Sequence, residues 1–466
     1  MAAYGGAVEG GVCELEWSHL NVHNASSDSQ GKDMTIADLF GDSDQKKSAK
    51  SPRPAATNKS VRKTKPPRLQ VNHLGPVASA DLAFGDLTVI VGPQATGKSI
   101  FLQTLKLLVD RDQIHDTFKH HSMSFNDKAG AFMEGYFGRG LSGAWSAKSS
   151  LTWKGKSVDL ADYAKPSKST TRHERMFYIP AQRVMSLPGG VSQNFGQFNF
   201  GDPYTLRAFS DAVHDLIQNE FGAKGELFPG PNRLNDTLRK PIQNHLFGGN
   251  RLVIDDKDFT KRLGLHVKGQ DKPLGFLSWS AGQREFTPLL MGAYWLCPTT
   301  NRRKTGKTVD ECIEWVVIEE PEMGLHPQGI SAVLLLVLEL MRRGYKVVLS
   351  THSPVVLDMV WALQEFKKLG SSEALVRQVF DLQSTPDAKK IAQSALTKDY
   401  AVYYFDRGGS VQDISNLNPG AMDTAESEWG GISGFATRTN NAIADAVAES
   451  ESRPSKRRKA RKQESI

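Results

Sequence analysis

The octapeptide Gly92-Pro93-Gln94-Ala95-Thr96-Gly97-Lys98-Ser99 constrains this chain more than any other feature. It fits the phosphate-loop spacing at every fixed position. An apolar run ending at Val91 precedes it, and a helical run from Lys98 to about Asp110 follows, with Phe101, Leu102, Leu105 and Leu108 on one stripe. Gly92 and Gly97 let the backbone curl until successive N–H groups face an anion, and the helix start adds its positive end. Lys98 then reaches β- and γ-phosphates, and the Ser99 hydroxyl ligates Mg²⁺. A glycine turn with an incidental lysine is the plain structural alternative. A second Gly-Lys-Thr at 306–308 has Asn301 in place of the first glycine and no apolar strand before it. It reads as a loop.

Two further apolar strands carry candidate chemistry at their C-terminal ends, where open α/β sheets bind ligands. The run Trp315–Ile318 delivers Glu319 and Glu320. Glu319 suits Mg²⁺, and Glu320 suits a general base for water. The alternative is an acid-rich helix start that complements the dipole. The run Lys346–Ser350 leads to Thr351-His352-Ser353-Pro354, where His352 can sense a γ-phosphate. A lone histidine is otherwise structural.

Ser280, Gly282 and Gln283, in "SWSAGQREF", begin a helix suited to an anion. The chain already has one phosphate loop, so this second site would serve another chain's nucleotide. Head-to-tail homodimers or higher homo-oligomers follow. A serine N-cap with a glycine turn is the competing reading. Gln182, in the polar turn after "FYIP", is a candidate for Mg²⁺ and γ-phosphate contact.

The alternation of strands and helices gives an α/β fold with a mainly parallel sheet. Residues 69–91 read as a short strand, a turn and a buried strand. "SSLTWKGKSVDL" reads as a hairpin and 176–179 as a buried strand. Residues 202–247 read as helix broken by a turn at Phe228–Pro231, and Arg251–Trp279 as strands and turns. The expected organisation is a segment at 1–68, mostly disordered, a nucleotide-binding domain at 69–425 with an insertion at about 111–270, and a segment at 426–466 ending in a disordered basic tail.

The formal charge of +7 dissolves when it is divided along the chain. Residues 1–44 carry eight acids and one base, residues 45–68 nine bases and no acid, and residues 452–466 seven bases and one acid. The 383 residues between the charged ends are near −1. The basic ends suit DNA or another polyanion, though neither interleaves aromatic residues. Cys13, Cys297 and Cys312 are too few and scattered for a disulfide framework or a zinc cluster. No run is apolar enough for a leader or a membrane span, so a cytoplasmic protein without a membrane partner is expected.

In this order, the motifs resemble the ABC-type ATPases related to RecF and SMC heads, and among these the OLD-family and bacterial anti-phage ATPases of Septu, retron-associated and PARIS types. The resemblance covers about residues 69–425. It implies a P-loop NTPase of ABC-ATPase type, with an antiparallel β subdomain and a helical insertion, using ATP and Mg²⁺. Gly92–Ser99 would be Walker A, Gln182 the Q-loop and Ser280–Gln283 the signature. Glu319 and Glu320 would be Walker B with the catalytic glutamate, Gly324–His326 the D-loop and His352 the switch histidine. Glu319 departs from the aspartate usual in transporters. The chain has no heptad run for a coiled-coil arm, and no Toprim-like acidic cluster after His352. The resemblance implies a regulatory ATPase controlling a separate effector such as a nuclease, or alternatively a repair ATPase that clamps DNA. A transporter subunit and a GTPase are disfavoured, the latter because no Asn-Lys-x-Asp segment occurs.

Overall fold

The computed structural model describes residues 65–452 except 126–128, 168–172, 223–224, 231–232, 256–259 and 298–311. The acidic segment, most of the basic linker, the Gly-Lys-Thr at 306–308 and the basic cluster from 453 lie outside the described residues.

Fully apolar strands buried on both faces demand a central sheet covered on both sides. That sheet has the order β14-β13-β3-β12-β11-β6. Its strands are β3 (Leu87–Val91), β6 (Met176–Ile179), β11 (Trp315–Glu319), β12 (Lys346–Thr351), β13 (Tyr400–Phe405) and β14 (Val411–Asp413). All but β14 are parallel to their neighbours. Alternate side chains feed two cores. Val89, Val316, Ile318 and Leu349 face one, and Ile90, Trp315, Val317 and Val348 face the other.

The long helices are α1 (Lys98–His120), α2 (Tyr204–Glu220), α3 (Asp236–His245), α4 (Ala281–Leu296), α5 (Pro327–Arg342) and α6 (Pro354–Lys368). α1 runs past its expected end at Asp110, where the backbone leaves helical geometry (φ −122°, ψ 27°). The cause is a buried polar junction. Asp110 accepts from the Arg175 and Met176 N–H groups (2.8 and 3.0 Å) and from Lys106 Nζ (2.7 Å). Lys106 also donates to Glu174 (2.6 Å) and to the Met176 carbonyl (2.5 Å). This junction fastens the helix after the P-loop to β6.

Two antiparallel sheets accompany the main one. Residues expected as one short strand before β3 form a hairpin, β1 (Arg68–Leu74) and β2 (Val77–Ala83), turning at Gly75 and Pro76. It pairs with the expected hairpin β4 (Ser150–Trp153) and β5 (Lys156–Val158). The second sheet joins β7 (Gly225–Phe228), β8 (Arg251–Asp255), β9 (Arg262–His266) and β10 (Leu274–Gly275). Strand β7 interrupts residues expected to be helix and turn, because Leu227 and Phe228 are buried against this second sheet and its core. The stretch 111–270, expected as an insertion holding a hairpin, a buried strand and helices, contributes β6 to the main sheet and β4, β5 and β7–β9 to the antiparallel ones. The α/β class, with a mainly parallel sheet flanked by helices, is as expected.

Candidate functional site

The loop between β3 and α1 wraps as its glycines require. Gly92, Ala95 and Gly97 have φ of 145°, 64° and 89°. A Cβ on Gly92 would lie 2.3 Å from the Phe405 carbonyl oxygen of β13. Glycine is needed there by space as well as by backbone angle. Thr96 Oγ1 donates to the Pro93 carbonyl (2.9 Å), and Lys98 Nζ donates to the Gly92 and Pro93 carbonyls (both 2.7 Å). Burial lowers the Lys98 pKa, while Glu320 and Glu319 act the other way. Gln94, Ala95 and Ser99 are exposed.

Glu319 closes β11 beside Ser350 of β12 and is 2 % exposed. Burial raises its pKa, opposed by the Ser99 hydroxyl, the Ala181 N–H and the Tyr178 hydroxyl. The Ala181 N–H donates to Oε2 (3.2 Å), whereas buried Oε1 has no hydrogen-bond partner among the described residues. No group of three His, Cys, Asp or Glu among the described residues is placed to hold a metal. One orphaned carboxylate oxygen near a hydroxyl instead fits Mg²⁺, which takes one or two protein ligands and completes its shell with phosphate and water.

Glu320 adopts φ 45°, and its N–H donates to the Ser350 carbonyl (2.8 Å). Its Oε1 stands 3.7 Å from His352 Nε2, just beyond hydrogen-bond reach. Burial and then Lys98 lower the His352 pKa, with Glu320 and Glu322 opposing. The balance favours the neutral imidazole. The structure thus gathers the P-loop, Glu319, Glu320 and His352 at one end of the sheet.

Three residues that sequence reasoning missed complete the arrangement. Arg183 is fully buried and donates to the carbonyls of Glu319 (2.8 Å), Glu320 (3.0 Å) and Glu285 (3.0 Å). Glu322 Oε1 accepts from Thr351 Oγ1 (2.7 Å) and the His352 N–H (2.6 Å), tying the ends of β11 and β12 together. Phe405 supplies the wall behind Gly92. The polar turn after β6 signalled a site, but nothing local singles out Arg183 over Gln182. Gln182 itself is exposed at the start of that turn, next to the Ala181 N–H that touches Glu319.

Ser280 caps α4 in a reciprocal capping box. Its Oγ accepts from the Gln283 N–H (3.3 Å), and Gln283 Oε1 accepts from the Ser280 N–H (3.1 Å). The structural reading of this serine therefore holds, and Ser280 also remains exposed. No hydrogen bond or ion pair among the described residues joins Ser280–Gln283 to the P-loop of the same chain. Gly282 packs on the Gly324 loop, where a Cβ would meet the Gly324 carbonyl oxygen at 2.7 Å.

Fold and loop together define a P-loop α/β protein built to bind a nucleoside triphosphate. A family model described as "AAA domain, putative AbiEii toxin, Type IV TA system" matches residues 199–358, about a third of the chain. That span takes in Ser280–Gln283, Glu319, Glu320 and His352 but not the P-loop. No curated protein matches the chain. Among solved structures, an SMC head bound to the C-winged helix domain of ScpA is 11% identical with TM-score 0.34, covering 74% of this chain and 95% of its own. An SMC head domain from Thermotoga maritima is 12% identical with TM-score 0.28, covering 62% and 90%. A dimeric bacterial ABC transporter cassette is 10% identical with TM-score 0.30, covering 74% and 96%. No helix among the described residues is long and apolar enough to cross a membrane.

Proposed function

We propose that the protein is an ABC-type ATPase in which nucleotide-dependent pairing of chains regulates a separate effector. The observation that carries this reading is the 3.7 Å approach of Glu320 and His352 beside Lys98 and orphaned Glu319 Oε1. The P-loop N–H groups and Lys98 hold the triphosphate. Mg²⁺, held by Ser99 and Glu319, would neutralise charge developing on the transferred phosphoryl group. Glu320 takes the proton of the attacking water, and neutral His352 hydrogen-bonds the γ-phosphate end of that line. The Ser280–Gln283 helix start, with Ser280 exposed, completes the nucleotide site of a second copy, head to tail.

The finer role we propose is the sensor and regulatory subunit of a bacterial anti-phage system, acting on a partner such as a nuclease. The order of motifs and the description of the matching family model support that placement. Glu320→Gln tests the enzymatic reading: ATP turnover should vanish and an ATP-bound assembly should accumulate. Turnover at the unaltered rate would reject it. For the biological role, cells carrying the system should lose phage protection with Lys98→Ala; protection retained in full would reject the regulatory assignment.

A further inference from the structure

After β14 the chain returns to the nucleotide end of the main sheet. Trp429 is buried there; its Nε1 donates to the Leu417 carbonyl (3.2 Å), and its ring lies 6.1 Å from that of Trp361. Gly430 has φ 69°, and a Cβ on it would lie 2.6 Å from the Tyr404 ring and 3.1 Å from Val91, the last residue before the P-loop. A further helix, α7 (Gly434–Ser452), starts from this fixed base.

Beyond the base, every residue from Phe435 to Glu449 is exposed. Such a helix gains little from packing, and its Thr and Asn residues are poor helix formers. Its pattern is nevertheless amphipathic. Phe435, Thr439, Ala442, Ile443, Ala446 and Val447 fall on one face at helical spacing. Phe435, Ile443 and Val447 are 75, 57 and 50 % exposed. Large apolar side chains aligned along one face of an exposed helix mark a contact surface.

Charge identifies what covers it. Arg438, Asp445 and Glu449 share one flank of the apolar face. The base stands towards the N-terminus and the acids towards the C-terminus, the reverse of what the helix dipole favours. No acid in the first turn or base in the last turn corrects this. A second α7 laid antiparallel across a two-fold axis brings this flank against its own copy. Arg438 of each copy then meets Asp445 and Glu449 of the other, and each acidic end lies beside an N-terminal half. Parallel pairing would set the same flank against Asn440 and Ala444 instead.

We propose that two copies of this chain associate through an antiparallel pair of α7 helices, without needing nucleotide. One pair of helices about five turns long falls short of the ~1,200 Å² that a stable interface buries. The association is therefore weak and exchangeable. Because α7 is rooted beside Val91, it raises the local concentration of one nucleotide end around the other. The pairing itself does not rest on the shared nucleotide site.

Sedimentation equilibrium of the full chain without nucleotide tests α7 apart from that site. A monomer–dimer equilibrium is expected, with Ile443→Asp raising its dissociation constant about tenfold or more. Arg438→Glu alone, and Asp445→Lys combined with Glu449→Lys, should each weaken association. Mixed together, these two charge variants should recover it, since each then faces opposite charge. All four side chains are exposed, so melting temperature should not change. A chain that stays monomeric throughout would overturn the proposal. So would dimerisation unaltered by Ile443→Asp, or a mixture that associates no better than its components.

Discussion

Arg183 holds Glu320 by its backbone, its Nη2 donating to the Glu320 carbonyl oxygen at 3.0 Å. Glu320 sits at φ 45°, a conformation that costs a non-glycine residue of order 1–3 kcal/mol unless its surroundings impose it. The same guanidinium reaches Glu319 and, through the Glu285 carbonyl, the helix that begins at Ser280. One buried side chain thus connects the nucleotide end of β11 to the exposed face proposed to meet a second chain.

Replacing Arg183 should therefore affect turnover more than nucleotide binding. Arg183→Ala strands one buried and two partly buried carbonyls and should destabilise the fold by about 2–4 kcal/mol. Arg183→Lys keeps the charge but loses the fork, so kcat should fall at least tenfold with KM for ATP nearly unchanged. Steady-state kinetics and a urea melt distinguish the two effects. An unchanged kcat in the lysine variant would remove Arg183 from the account.

The P-loop was legible because its chemistry is contiguous: glycines, lysine and serine lie within one turn of chain. Glu319, Glu320 and His352 were legible for a related reason, since short apolar strands announce where their ends must lie. Arg183 was not, because its partners lie 102 to 137 residues away and a polar turn does not say which side chain points inward. Strand β7 was missed likewise: two apolar residues beside a turn become a strand only once β8 is there to pair with them.

Gly282 offers a test of the contact between α4 and the Gly324 loop. A methyl group there would lie 2.7 Å from a backbone oxygen that cannot swing away. Gly282→Ala should cost about 1–3 kcal/mol of stability and slow turnover. Wild-type values in both thermal melting and ATPase assays would show the contact to be slack.

His352 should titrate below the ordinary histidine range, since burial and the Lys98 ammonium both disfavour its charged form. Removing that cation removes a repulsion, so Lys98→Ala should raise the His352 pKa. NMR of the imidazole C–H resonances reads both values directly. A downward shift in the variant would mean that Lys98 does not face the ring.

The junction behind the P-loop helix is open to a stability measurement. Burial works against the charge of Lys106, but Asp110 and Glu174 outweigh it and hold its pKa above the usual lysine value. Lys106→Ala leaves Asp110 buried without its cation and should destabilise the protein by about 3–5 kcal/mol in urea unfolding. A loss under ~1 kcal/mol would mean that the junction relaxes or takes up water.

The central claim is that Lys98 of one chain and Ser280 of another serve the same nucleotide. Lys98→Ala and Ser280→Arg, each alone, should abolish ATP turnover. Mixed together, they should recover it, because a mixed pair contains one site with an intact P-loop and an intact Ser280 helix. Recovered turnover is the result expected; a mixture as inactive as its components would contradict the shared site.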